Sequence, residues 1–127
     1  ERRVMVHLDE KPSVIEWSSE EIVIPYLSPV DGRWHRYFPD FLVKMNTING
    51  TKTFLIEVKP HKQSMPPPQP KRKTKQYIQE VVTWSVNNAK WKAAIEYCKD
   101  RKWKFVVMAS TDGIKYKYLT ENDLLLS

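Results

Sequence analysis

The chain has 127 residues, of which 41% are hydrophobic and 28% charged, with five Trp and a net charge of +6. That length and apolar content suit one domain with a real core and exclude a disordered chain. A single cysteine, Cys98, excludes an internal disulfide framework and fits a reducing compartment, and no apolar run is long enough to span a membrane.

Taken in chain order, residues 1–11 place Val4, Met5 and Leu8 at helical spacing, and Pro12 ends the segment. The spacing predicts the tail of a longer helix, and the start at Glu1 without an initiator Met points to a processed or truncated beginning. Residues 21–27 read as a β-branched strand in which Pro25 marks an edge or bulge. A turn over 28–32 leads into a second strand over 34–44, and Asn49-Gly50 is a hairpin signal opening a third strand over 52–59. These three strands are expected to form an antiparallel meander.

Residues 60–70 hold Pro60, Pro66, Pro67, Pro68 and Pro70, which predicts an extended linker with no helix. A helical stripe follows through Tyr77, Val81 and Trp84, then Trp91, Ala94, Ile95 and Cys98, with Asn87-Asn88 expected to break or cap it. Residues 104–108 form a further apolar strand, parallel to a meander strand because a helix precedes it. Thr120 is placed to cap a short last helix through Leu126. The expected fold is α/β (α+β), in αβββαβ order, with a mixed central sheet flanked by helices in one domain over 1–127.

Two acids interrupt the apolar strands. Asp40 follows Pro39 between Phe38 and Phe41, and Glu57 lies between Ile56 and Val58. A buried, unpaired carboxylate destabilises a fold or neutralises itself, so each needs a reason to be there. Residues two apart on a strand share a face, which puts Glu57 and Lys59 side by side. If the two strands pair, Asp40 joins them, and two neighbouring carboxylates call for a cation between them. A hard divalent ion with oxygen ligands is the usual occupant. A Glu-x-Lys alone is ordinarily a solvated ion pair. The upstream Pro-Asp and the basic segment that follows favour the metal site.

The excess charge has an address. Lys59, Lys62, Lys71, Arg72, Lys73 and Lys75 account for the whole +6, with no acid among residues 59–75. Placed just after the carboxylates, the segment suits a polyanion held over a metal, where a plain surface run would have no such partner. His7, His35 and His61 lack metal-ligand spacing, and Cys98 on a helix stripe reads as a small core residue.

Pro39-Asp40, then Glu57-Val58-Lys59, within an αβββαβ order, resembles the PD-(D/E)XK nuclease superfamily. Within it, Ile24-Pro25-Tyr26, Arg36-Tyr37-Phe38, residues 54–60, Thr83-Trp84-Ser85-Val86-Asn87 and Lys90-Trp91-Lys92-Ala93-Ala94 resemble the head completion nucleases of T-even-like tailed bacteriophages. A more distant similarity, through residues 36–41 and 57–60, is to the endonuclease subunits of Tn7-type transposons. The resemblance implies a metal-dependent endonuclease or exonuclease that cuts DNA phosphodiesters in phage head completion. Its setting would be the host cytoplasm or the virion, with DNA and phage head, portal or neck proteins as partners and no membrane.

By that resemblance Asp40, Glu57 and the Val58 carbonyl bind Mg²⁺ or Mn²⁺, as one ion or two, and Lys59 orients water or stabilises phosphate charge. Glu1 stands where such nucleases carry a further metal-binding Glu, and Glu20 is its rival or accessory. Arg33, Arg36, Lys62, Lys71, Arg72, Lys73 and Lys75 are the expected phosphate contacts, with residues 60–75 as a DNA-binding flap. The rival readings are a non-catalytic DNA-binding module and a structural head or neck protein.

Overall fold

A computed structural model describes residues 5, 14–48, 50–111 and 115–119. The strands are β1 (Val14–Ser19), β2 (Ile24–Leu27), β3 (Trp34–Tyr37), β4 (Phe41–Thr47), β5 (Gly50–Pro60), β6 (Lys104–Thr111) and β7 (Lys115–Leu119). A 3-10 helix covers His61–Ser64, and α1 runs from Lys75 to Arg101. The main sheet has the order β1-β4-β5-β6-β7, with β5 and β6 parallel and the other pairs antiparallel. It is the expected mixed sheet. Along the chain its strands and helix follow a βββαβ order, with β2 and β3 inserted as a separate two-stranded sheet and β7 added at the end.

The expected meander over 21–59 is therefore corrected. Residues 21–23 are not strand, and residues 24–27 pair with 34–37 outside the main sheet. The continuous strand over 34–44 breaks at Phe38-Pro39-Asp40. Proline donates no ladder hydrogen bond and restricts the residue before it, so β3 ends and β4 starts afresh in a different sheet. The partner on the free side of β4 is β1, a strand absent from the sequence reading. Its register slips between Val14 and Glu16, which disturbs the alternation that would have marked it.

Two smaller corrections follow. The linker is not wholly extended, because the four proline-free residues after Pro60 close a 3-10 turn. Asn87-Asn88 does not interrupt α1, since the helix is locked on both sides by Trp84 and by the fully buried Trp91, whose rings meet edge to face. Thr74 caps α1 by accepting a hydrogen bond from the Tyr77 N–H at 3.1 Å. Met5 is helical and packs on the sheet, while the rest of 1–11 and the Thr120–Leu126 helix lie outside the described residues.

The sheet is covered on both faces. Leu55 faces Trp91, Ala94, Ile95 and Cys98 of α1, together with Tyr37 and Tyr26 of the small sheet. Ile56 faces the other way, with Phe41, Val43 and Met108. Alternation along β5 therefore sends Glu57 and Lys59 to the α1 side, after Leu55.

Candidate active site on the helix-facing side of the sheet

The β4–β5 register pairs Phe41 with Ile56, so Asp40 stands opposite Glu57, one step beyond the last pair. β4 has ended there, and the Asp40 side chain takes over its pairing: Oδ2 accepts the Val58 backbone N–H at 2.7 Å. The Asp40 carbonyl accepts the Glu20 N–H at 3.1 Å. Pro39 sits in the core without a donor, which is why the chain can turn into β4 at this point. The carboxylate is thus fixed by the strand it must face.

Glu57 is 5% exposed. Its Oε2 accepts a short hydrogen bond from the Tyr37 hydroxyl, and its Oε1 lies 3.5 Å from the Lys59 ammonium. Burial raises its pKa from 4.5 to about 7, and the Asp40 charge adds to the rise against the opposing pull of Tyr37 and Lys59. Tyr37 is pushed well above 10, by burial and then by Glu57, so its hydroxyl remains a donor. At neutral pH Glu57 is therefore about half protonated unless a cation intervenes.

Two neighbours of this cluster lie in blocks that carry the family resemblance but were given no site role from the sequence. Tyr37 comes from the inserted small sheet, and its bond to Glu57 follows from packing that no local pattern announces. Lys90 comes from α1, where its ammonium lies 5.6 Å from the Tyr37 ring centre and 5.8 Å from that of Tyr26. Half-burial lowers its pKa, as does the Lys59 charge, while Glu57 pulls the other way. Lys90 belongs to a basic, amphipathic helix, which gave no reason to separate it from its neighbours. Two ammonium groups thus lie near Glu57, Lys59 beside it on the strand and Lys90 over the Tyr37 ring.

The other expected site residues are dispersed. Glu20 is joined to Asp40 only through its backbone, at a positive φ of 53°, and its side chain is exposed. Glu1 lies outside the described residues. Among the described residues no three His, Cys, Asp or Glu side chains converge as a metal cluster. Arg33 and Arg36 are exposed on and beside β3, with the Arg36 guanidinium 6.0 Å from the Phe38 ring centre. Lys62 is 3.5 Å from Glu80, which ties the start of the flap to α1. Lys71, Arg72, Lys73 and Lys75 are exposed around the N-terminus of α1, whose first turn has no acid. His35 is held by Asp31 at 2.8 Å in the β2–β3 turn, a structural role.

The family model of the TnsA-like endonuclease N-terminal domain matches residues 11–110, which hold every described member of this cluster. The chain belongs to that family. It is also 39% identical, over 121 residues, to the head completion nuclease of Enterobacteria phage T4; the match covers 92% of this chain and 71% of that protein. No solved structure matches the chain. Among the described residues of this TnsA-like chain, no helix is long and apolar enough to cross a membrane.

Proposed function

We propose that this chain is a divalent-metal-dependent deoxyribonuclease of PD-(D/E)XK type, cutting phosphodiester bonds during phage head completion after genome packaging. The observation that carries the reading is the pairing of Asp40 against Glu57, with Lys59 beside Glu57 on the same strand face. The donor set is hard oxygen, and a carboxyl pushed to about 7 by burial and then by its acidic neighbour is the electrostatic imprint of a cation site.

Asp40 and Glu57 would hold the ion, Mg²⁺ or Mn²⁺, with the Val58 carbonyl and Glu1 as further ligands. When bound, the ion supplies Lewis-acid polarisation of the phosphate and lowers the pKa of an attacking water. Tyr37 and the Val58 N–H orient the two carboxylates. Lys59 orients the water or stabilises the charge that grows on the phosphate oxygens, a role suited to a compact ammonium. Lys90 adds positive potential from the helix side. The exposed cations at 33, 36, 62 and 71–75 hold the DNA backbone without choosing sequence.

The test is incubation with linear and circular DNA, in Mg²⁺ and in EDTA, with wild type and Asp40→Ala. Cutting is expected in Mg²⁺ only and from wild type only, with DNA retention kept in the variant. Cutting that survives EDTA, or a variant that cuts at the wild-type rate, rules the reading out.

A further inference from the structure

Between the flap and α1 lies a cavity of about 210 Å³, outside the carboxylate cluster. Met65, Pro67, Pro68 and Trp84 supply apolar walls, and Asn87 brings an amide to it. Asn87 is only 5% exposed, and its side chain makes no hydrogen bond among the described residues. An enclosed amide that bonds no described residue can offer a donor and an acceptor to whatever fills the cavity, and this one sits on a helix face otherwise built from Trp91, Ala94 and Ile95. The cavity is far larger than a water and smaller than sites for drug-sized ligands.

Its position connects it to the cutting site. Asn87 and Lys90 are three apart on α1, hence neighbours on one face. Lys90 sits over the Tyr37 ring, and the Tyr37 hydroxyl reaches Glu57. Lys62, at the cavity's edge, follows shortly after Lys59 and Pro60. The occupant must have flat apolar faces and an edge that both donates and accepts hydrogen bonds, and it must be attached to an anion lying among cations. An unpaired nucleobase meets each requirement.

We propose that the cavity takes one unpaired base from the strand whose phosphate lies over Glu57 and Lys59. The enzyme then engages frayed, gapped or single-stranded DNA in preference to closed duplex. Trp84 and the prolines meet the faces of the base, and the Asn87 amide pairs with its edge. This inference rests on the nuclease reading and adds the substrate form to it.

The test uses the full chain in EDTA, so that nothing is cut, and two duplexes carrying single-stranded tails of equal length. One tail bears bases and the other is abasic, so the phosphates are the same. Wild type is expected to bind the base-bearing tail about tenfold more tightly. Asn87→Leu should erase that difference while its Tm stays close to the wild-type value, since an amide on an otherwise apolar helix face is replaced by an apolar group of similar size. Equal wild-type affinity for both tails overturns the proposal, as does undiminished discrimination in a folded Asn87→Leu. Equal binding with Mg²⁺-dependent cutting intact removes the base pocket alone. Discrimination without any cutting in Mg²⁺ removes the nuclease reading alone.

Discussion

The carboxylate cluster and the basic segment are neighbours in the chain and opposites in construction. Asp40, Glu57, Tyr37 and Lys90 are drawn together by two sheets and a helix and are partly or fully buried; hydrogen bonds hold the first three, and Lys90 lies over the Tyr37 ring. Residues 71–75 are exposed, and what ties them down is the start of α1, where Thr74 accepts the Tyr77 and Ile78 N–H groups. Burial makes charge expensive and therefore specific: a carboxyl there shifts its pKa and demands a partner. Exposure makes charge cheap and additive, so the flap can hold any polyanion without aiming it. Fixed groups suit chemistry on one bond, and loose ones suit retention of a long substrate.

The sharpest break of this contrast is Glu57→Gln. It should lower cleavage by about 10³ or more, the scale for losing a group that acts on the reacting charge. It should also stabilise the metal-free protein at pH 8. The sign follows from a folded pKa raised to about 7 from 4.5: between those values the folded state binds more protons than the unfolded one. Stability therefore falls as pH rises through that window and is flat above it. The loss is on the order of 3 kcal/mol, and Mg²⁺ should restore it. Thermal melts of both proteins from pH 4 to 8 measure this, and a wild-type Tm that rises from pH 5 to 7 contradicts it.

Lys59→Ala sharpens the comparison by crossing it, because Lys59 belongs to the basic run in sequence and to the cluster in space. Turnover should fall about 10²-fold at saturating DNA, with metal affinity nearly unchanged. Were the loss confined to DNA binding at low salt, Lys59 would belong functionally with the flap. Lys90→Ala, acting through Tyr37 and the local potential, should cost about tenfold, with Lys90→Arg recovering part of it.

The smallest effect on the chemical step is expected from neutralising Lys71, Arg72, Lys73 and Lys75 together. The slope of log affinity against log salt should flatten by about three to four units on duplex DNA, equally for all sequences, if all four meet phosphates. Turnover at saturating DNA should stay within about threefold of wild type, as expected for groups that touch only the backbone. An unchanged slope would make the run a solvated surface and move the DNA path towards Arg33 and Arg36.

The sequence by itself determined the strand that carries Glu57 and Lys59, and its companion. Apolar runs on both sides of Asn49-Gly50 set one hairpin, and its register fixes Asp40 opposite Glu57; strand alternation then places Lys59 beside it. The stripe through Trp91, Ala94, Ile95 and Cys98 announced the helix that buries Glu57, and the helix between two strands announced the parallel β5–β6 pair. These are local signals, carried by period and turn chemistry. Only the tertiary structure decided what completes the site. Pro39 divides an apparently continuous strand between two sheets, so Tyr37 reaches Glu57 from outside the main sheet. β1 takes the edge that residues 21–27 were expected to fill, and α1 brings Lys90 over the Tyr37 ring. β7, over residues for which no strand was expected, pairs with β6 ahead of the helix expected from Thr120 onward. Pairing and packing between segments far apart in the chain are chosen by the total surface they bury together, and no short window of residues contains that sum.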